Sequence, residues 1–271
     1  MPPAATLVEA LEPLRADPAH SAVLLDIDGT LAPIVRHAAD AHVPEATRTL
    51  LIEISRRYGL VGCVSGRRAS TARQIVAIGS IVYVGNHGGE LLRPGAIRPE
   101  LDPDMSAWSE RVRAFAEQAY TPELRRVRVR SEDKGAIAAF HWRGVPDEEA
   151  AAVLVSEIAE RAEQEGFVVH WGRKVLEVRP PVALDKGLGI TALLQSAAGD
   201  GSRVTSAMYA GDDTTDVDAF NALHRLVADG TLQRAVCVAV GSEETPPELR
   251  QGADLAIDGQ NGVRGLLEAL L

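Results

Sequence analysis

Short apolar runs alternate with amphipathic segments over the first hundred residues and again near the C-terminus. The runs are typical of buried strands, and the segments between them carry apolar residues at helical spacing. The predicted strands are 22–25, 59–64, 81–84, 204–210 and 235–240, and the predicted helices are 4–16, 44–58, 69–77, 186–195, 217–227 and 263–271. Because nearly every strand residue is apolar, we expect a parallel sheet covered by helices on both faces.

The middle of the chain has a different pattern. A helix followed by two alternating strands occurs twice, which predicts a small α+β unit with an antiparallel sheet. The predicted elements are helix 105–120, strands 125–131 and 136–142, helix 147–166, and strands 168–171 and 174–179. Prolines mark both borders. We therefore expect an α/β core with a Rossmann-like parallel sheet from residues 1–101 and 181–271, and an inserted α+β domain from 102–180.

Composition narrows the possible partners. The 271 residues are 46% hydrophobic and 24% charged, and the net charge is −10, which argues against nucleic acid or an anionic membrane as a partner. No apolar run reaches the roughly 20 residues of a membrane span, and the N-terminus lacks the features of an export signal. The two cysteines, Cys63 and Cys237, lie in apolar runs. We expect buried thiols and a cytoplasmic protein.

Two acids follow the first strand. Asp26 and Asp28 come directly after Ala22–Leu25 and precede a Gly-Thr turn. Carboxylates at the end of a buried strand are costly to desolvate, and a metal ion is the simplest compensation. The alternative is that both acids only cap a turn. A calcium-binding EF-hand loop is excluded, because the glycine comes fourth and a strand precedes the acids.

Polar residues also follow the other predicted strands. Ser65 follows the second, the segment 86–90 follows the third, and three acids, Asp212, Asp213 and Asp216, follow the fourth. Open α/β sheets bind ligands at this edge. Lys186 begins a helix, where its ammonium and free backbone N–H groups can face one anion. This equipment is typical of phosphoryl transfer through an aspartate nucleophile.

Each residue then has an expected role. A Mg2+ ion held by Asp26, the backbone carbonyl of Asp28 and Asp212 would offset repulsion between a carboxylate and a phosphate. Asp26 is the expected nucleophile, and Asp28 the general acid and base. Ser65 and Lys186 would hold the oxygens of the transferring group.

Four motifs in order resemble those of the haloacid-dehalogenase-like phosphatases: Asp-Ile-Asp-Gly-Thr-Leu, Val-Ser-Gly-Arg, Asp-Lys-Gly and Gly-Asp-Asp-Thr-Thr-Asp. The inserted domain matches the second type of cap in that superfamily. Further segments are similar to the trehalose-6-phosphate phosphatase family: Gly-Asn-His-Gly-Gly-Glu at 85–90, Glu-Asp-Lys-Gly at 132–135, His-Trp-Arg at 141–143 and Gly-Arg-Lys-Val-Leu-Glu-Val-Arg-Pro at 172–180. One departure is Val217, where the family usually has Glu.

The resemblance implies a Mg2+-dependent hydrolysis of trehalose 6-phosphate through an aspartyl-phosphate, with a cap that closes on the sugar. The sugar-contacting residues it implies are Lys134, Arg143, Lys174 and Glu177 in the cap and Asn86, His87 and Glu90 in the core, with Arg67 near the phosphate. Asp213 and Asp216 would lie behind the metal ligands.

Several of these residues have plainer interpretations. Arg67 could cap the next helix, His87 could shape its glycine-rich turn, and Lys174 or Glu177 could simply be solvated. His141 and His170 flank tryptophans and fit packing or surface positions better than zinc ligation, since no Cys/His cluster accompanies them.

Other functions remain open at this point. The chain could hydrolyse sucrose, mannosylglycerate or glucosylglycerol phosphate, or be a phosphohexose mutase, or be a non-catalytic sugar-phosphate sensor. We expect a monomer. Since no glycosyltransferase domain precedes residue 20, the trehalose-6-phosphate synthase acting upstream should be a separate chain.

Overall fold

A computed structural model describes residues 4–35, 40–199, 203–241 and 245–271. The chain divides into two compact units. Unit 1 comprises Met1–Glu100 and Leu184–Leu271, and unit 2 comprises Leu101–Ala183, where the sequence predicts an insert at 102–180.

The strands and helices are numbered in chain order. The strands are β1 Ser21–Leu25, β2 Leu60–Val64, β3 Val82–Gly85, β4 Glu90–Leu92, β5 Glu100–Leu101, β6 Arg130–Asp133, β7 Ala138–His141, β8 Val168–Gly172, β9 Val175–Arg179, β10 Ser206–Gly211, β11 Arg234–Gly241 and β12 Leu255–Asp258. The helices are α1 Ala4–Ala16, α2 Glu45–Arg57, α3 Ala69–Val76, α4 Pro103–Ala119, α5 Pro122–Arg126, α6 Glu148–Gln164, α7 Lys186–Gly199, α8 Thr215–Ala228, α9 Pro247–Gly252 and α10 Gly259–Leu270.

The large sheet has the order β12-β11-β10-β1-β2-β3-β4-β5. The first six strands of this order, from β12 through to β3, pair in parallel with their neighbours. Strand β4 pairs antiparallel with β3. The predicted parallel α/β sheet is thereby confirmed. Side chains of β1 alternate between two apolar cores: Val23 and Leu25 lie with residues of α1, α2 and α10, whereas Leu24 lies with residues of α7 and α8. Covering both faces explains why every β1 residue is buried.

Unit 2 contains an antiparallel sheet of order β6-β7-β9-β8. Its core includes Phe140 of β7 and Leu176 and Val178 of β9, packed with residues of α4 and α6. Since strand side chains alternate, Glu177 and Arg179 point to the opposite face of the sheet from Leu176 and Val178.

One predicted strand is partly wrong. Residues 125–131 contain the end of helix α5, which begins with Pro122 at its first turn. Arg128 then adopts a left-handed conformation (φ 63°) between the end of α5 and the start of β6 at Arg130. Proline is favourable at the first helical position, and this signal outweighs the alternating pattern. The sequence prediction also missed β4, β5, α9 and β12, which are two to six residues long and too short for a periodic pattern.

None of the helices in the described ranges is both long and apolar enough to cross a membrane.

Candidate functional site

The first acidic motif leaves β1 at the middle of the large sheet. The Asp26 N–H donates to the carbonyl of Ala210 at 2.8 Å, which extends the β1–β10 ladder by one residue. The chain then turns, with the Gly29 N–H bonded to the Ala32 carbonyl at 2.8 Å. Because Asp26 directly follows β1, it lies at the carboxyl edge of the sheet. It is also buried, so its carboxylate is shielded from solvent.

Lys186 joins two acids across this edge. Its Nζ donates to Asp26 Oδ1 and to Asp216 Oδ1, each at 2.7 Å, and the side chain is 3% exposed. Burial acts to lower the pKa of Lys186, but the charges of Asp216 and Asp26 outweigh it and raise that pKa. The lysine is therefore a fixed positive charge.

Asp216 holds several groups in place. Its Oδ1 also accepts from the Tyr209 hydroxyl at 2.6 Å, and its Oδ2 accepts from the N–H groups of Asp212 and Asp213 at 2.9 and 3.0 Å. A carboxylate that accepts from four donors is well compensated for burial. Asp216 thus anchors both Lys186 and the backbone that carries Asp212.

The carboxylates of Asp26, Asp212 and Asp216 carry oxygens that all lie within 4.8 Å of one another. Burial, together with the nearby charges of Asp216 and Asp213, raises the pKa of Asp212 to about 7. Burial also raises the pKa of Asp26, although Lys186 partly opposes this. One lysine does not balance these acids, and an all-oxygen donor set suits Mg2+. The residues therefore fit a divalent cation.

Gly29 is required by the close approach of Asp212. Its φ is +90°, and a Cβ there would lie 2.0 Å from Asp212 Oδ2. The Thr30 hydroxyl donates to Asp212 Oδ1 at 3.2 Å. The turn after Asp28 thus packs directly against Asp212, which is one of the predicted metal ligands.

Asp28 and Ser65 both contact Arg67. The guanidinium Nε and Nη2 donate to the two Asp28 carboxylate oxygens at 2.6 and 2.7 Å, and the Arg67 N–H donates to Ser65 Oγ at 3.2 Å. This differs from the plainer interpretation of Arg67 as a helix cap. Ser65 is buried, and its own N–H donates to the Val84 carbonyl at 2.9 Å.

The segment after β3 is a tight turn. Asn86 and His87 both have positive φ, of 48° and 54°. The His87 ring packs so closely on Gly66 that a Cβ there would lie 2.6 Å from it. Glu90 is buried at the start of β4, where its Oε2 accepts from the Ala69 N–H at 2.7 Å. Glu90 therefore contacts the first residue of α3.

In unit 2 the structure brings Lys134 and Glu177 together. Lys134 Nζ donates to Glu177 Oε1 at 2.7 Å, and Arg179 Nε donates to Glu177 Oε2 at 2.9 Å. Burial acts against the charged form of Glu177, but Lys134 and Arg179 prevail and lower its pKa to about 2. The three residues form a charged cluster, which we call the Glu177 cluster, and their side chains are only 9–12% exposed.

The other two predicted cap residues have different contacts. Lys174 lies in the β8–β9 turn with φ 61° and pairs with Glu148. Arg143 Nη2 donates to the Arg173 carbonyl at 3.2 Å. Lys174 and Arg143 are both exposed.

The two histidines near tryptophans have no zinc-like surroundings in the described residues. His141 Nε2 is 2.8 Å from Glu132 Oε2, and burial lowers the pKa of His170. Neither belongs to a group of three ligating side chains in the described part of the chain.

Sequence reasoning missed Tyr209, Thr30 and Arg179. Tyr209 is the one phenol in an otherwise apolar strand end, and Arg179 lies two residues after Glu177 on the same strand face. Both signals were available in the sequence. The Thr30 contact with Asp212 joins residues 182 apart in the chain, and no local pattern reports it.

Known proteins are similar to this chain in sequence and in fold. A family model described as trehalose-phosphatase matches residues 24–251. The trehalose 6-phosphate phosphatase RA3 of Zea mays is 30% identical over 216 residues, which are 75% of this chain and 59% of that protein. The chain therefore spans about three fifths of the length of that relative.

Two solved structures share the fold. A trehalose-6-phosphate phosphatase related protein superposes with a TM-score of 0.72 at 21% identity, covering 91% of this chain and 95% of the other. A haloacid dehalogenase-like hydrolase from Bacteroides thetaiotaomicron gives 0.61 at 15% identity, with 93% and 100% coverage. The fold is thus that of the haloacid-dehalogenase-like hydrolases, and the chain belongs to the trehalose-phosphatase family.

Proposed function

We propose that this protein hydrolyses trehalose 6-phosphate to trehalose and phosphate, with Mg2+ as its cofactor. The observation that carries the proposal is the buried contact of Lys186 with Asp26 at the carboxyl edge of the sheet, beside Asp212. Membership of the trehalose-phosphatase family supports the choice of substrate.

Asp26 is the proposed nucleophile. One carboxylate oxygen attacks phosphorus, the bond to the sugar oxygen breaks, and an aspartyl-phosphate forms on Asp26. Asp28 gives its proton to the departing sugar oxygen. A water then attacks the aspartyl-phosphate and returns a proton to Asp28, which frees phosphate and restores both acids. Arg67 has to leave the Asp28 carboxylate for that carboxyl to hold the proton.

Lys186 and Ser65 are proposed to bind the oxygens of the transferring group, where charge accumulates. Asp216 keeps Lys186 in place through its 2.7 Å hydrogen bond. Asp26, the carbonyl of Asp28 and Asp212 would hold Mg2+, which supplies positive charge that offsets repulsion between the nucleophile and the phosphate. Asp213 and Asp216 act behind these ligands.

We assign the catalytic role to unit 1 and sugar specificity to unit 2, the proposed cap. The Glu177 cluster, with Lys174 and Arg143, offers paired donors and acceptors that suit a hydroxyl-rich ligand. Asn86, His87 and Glu90 are the proposed sugar-facing residues of unit 1. A trehalose-6-phosphate synthase would supply the substrate.

The test is phosphate release with Mg2+ across a panel of disaccharide and glycoside phosphates. We expect trehalose 6-phosphate to give the highest kcat/KM, and Asp26→Asn to abolish turnover while its circular dichroism spectrum stays native. Near-normal turnover by Asp26→Asn would refute the nucleophile assignment. Higher kcat/KM for sucrose, mannosylglycerate or glucosylglycerol phosphate would refute the substrate assignment while leaving the phosphatase chemistry intact.

A further inference from the structure

Three ligating side chains of different chemistry meet in unit 1 away from the acidic cluster. His224 lies on α8, Cys237 on β11, and Asp254 directly before β12. An imidazole nitrogen, the Cys237 sulfur and an Asp254 carboxylate oxygen all lie within 4.8 Å of one another. Cys237 is buried, whereas His224 and Asp254 are exposed. The group therefore has a fixed inner ligand and two outer ligands that reach solvent.

Two of these ligands are held by reciprocal hydrogen bonds. The Cys237 N–H donates to Asp254 Oδ2 at 2.7 Å, and the Asp254 N–H donates to the Cys237 carbonyl at 2.8 Å. The Asp254 carboxylate is thus aimed at the β11 backbone beside the thiol. His224 comes from α8, which packs against β11, so the third ligand is also carried by a rigid element.

We propose that His224, Cys237 and Asp254 bind a zinc ion. Nitrogen, thiolate and carboxylate are the donors that Zn2+ accepts, with bonds of about 2.0–2.3 Å, so ligand atoms around a tetrahedral ion are about 3.4–3.6 Å apart. Since the ligand atoms already lie within 4.8 Å of one another, the ion would draw them together by at most about 1.4 Å, and the exposed His224 side chain can make that movement. Water from the solvent side takes the fourth position.

Binding exchanges a proton for the ion. Burial and the neighbouring Asp254 charge raise the pKa of Cys237, so the metal-free thiol is protonated. Zinc ligation forms the Zn–S bond as the S–H proton passes to solvent. The sulfur and nitrogen donors distinguish this group from Asp26, Asp212 and Asp216, whose oxygens favour Mg2+. The ion would connect α8 to β12, the strand at the end of the sheet.

Cobalt(II) is a suitable probe, because a thiolate ligand gives a charge-transfer absorption in the near ultraviolet that oxygen ligands do not. The chain has two cysteines, which provides a matched control. The unaltered protein, stripped with chelator, should show this band with one equivalent of Co2+, as should Cys63→Ala. Cys237→Ala should lose it, and Zn2+ should displace Co2+ and remove the band.

His224→Ala tests the site without disturbing the core, since His224 is exposed. We expect it to weaken Zn2+ affinity by more than the roughly 10–100-fold that loss of an outer partner of a metal ligand costs, and to remove the rise in Tm that Zn2+ gives the unaltered protein. Absence of the thiolate band, its persistence in Cys237→Ala, or unchanged Zn2+ affinity in His224→Ala would each overturn the proposal. None of these readouts depends on phosphatase activity.

Discussion

Replacing Glu177 by Gln tests whether the Glu177 cluster stabilises unit 2. The pKa of Glu177 is about 2 against an ordinary value of 4.5, and its side chain is 9% exposed. Since one pKa unit corresponds to about 1.36 kcal/mol, the charged form contributes about 3 kcal/mol at neutral pH. Gln keeps the shape but leaves Lys134 and Arg179 close together without the carboxylate that balances them.

The effect should depend on pH in one direction. Because the folded-state pKa is lowered, the stabilisation is fully present above about 4.5 and is lost as the pH falls through about 2. At pH 3 the same linkage relation leaves about 1.4 kcal/mol. The free energies of unfolding of the native protein and of Glu177→Gln should therefore converge as the solution is acidified.

Urea unfolding followed by tryptophan fluorescence measures this loss where it occurs. The three tryptophans, at positions 108, 142 and 171, all belong to unit 2, so the signal reports that unit alone. The matched control is Glu148→Gln, which removes the partner of the exposed Lys174 and should change stability far less. A loss no larger than that of the control, or one that does not shrink at pH 3, would refute the reasoning.

Three further changes test the site. Lys174→Ala should lower kcat/KM for trehalose 6-phosphate far more than for p-nitrophenyl phosphate, and equal losses would contradict a role in sugar recognition. Tyr209→Phe removes one donor from Asp216 and should lower kcat about tenfold with KM little changed; an effect on KM alone would exclude positioning of Lys186. Gly29→Ala places a methyl group on the Asp212 carboxylate and should abolish phosphate release in a protein with native circular dichroism. Gly95→Ala is its control for backbone strain and should remain active, because Gly95 has φ +73° and a Cβ added there would meet no atom beyond its chain neighbours within 4 Å.

The parallel sheet could be predicted because each of its central strands is apolar on both faces. Such strands have to be covered on both sides, as helices cover a parallel α/β sheet. The sequence also placed Asp26, Ser65 and Asp212 correctly after strands β1, β2 and β10. Strand ends follow from local pattern and turn residues. The short elements β5 and β12 could not be predicted in this way, because strands of two and four residues are held by neighbours rather than by their own periodicity.

Contacts between residues far apart in the chain could not be predicted from the sequence, for a different reason. Lys186 and Asp26 are 160 residues apart, and Arg67 and Asp28 are 39 apart, so each pairing depends on the order of strands in the sheet. Motif order indicates that such groups share an edge. It does not indicate that Arg67 would pair with Asp28 through its Nε and Nη2 atoms, because that contact depends on side-chain geometry.

The contacts of Glu177 show how structure refines a role that sequence could only outline. One carboxylate oxygen accepts from Lys134 and the other from Arg179, so both already serve protein donors. A carboxylate in this state orients its two cations more strongly than it recognises a hydroxyl. If the cluster binds sugar, its cationic groups are the donors to the hydroxyls, and Glu177 fixes where Lys134 and Arg179 point. Substitution of Glu177 should then impair recognition through the positions of those two cations, which explains why its stability and its specificity effects have to be measured on the same variant.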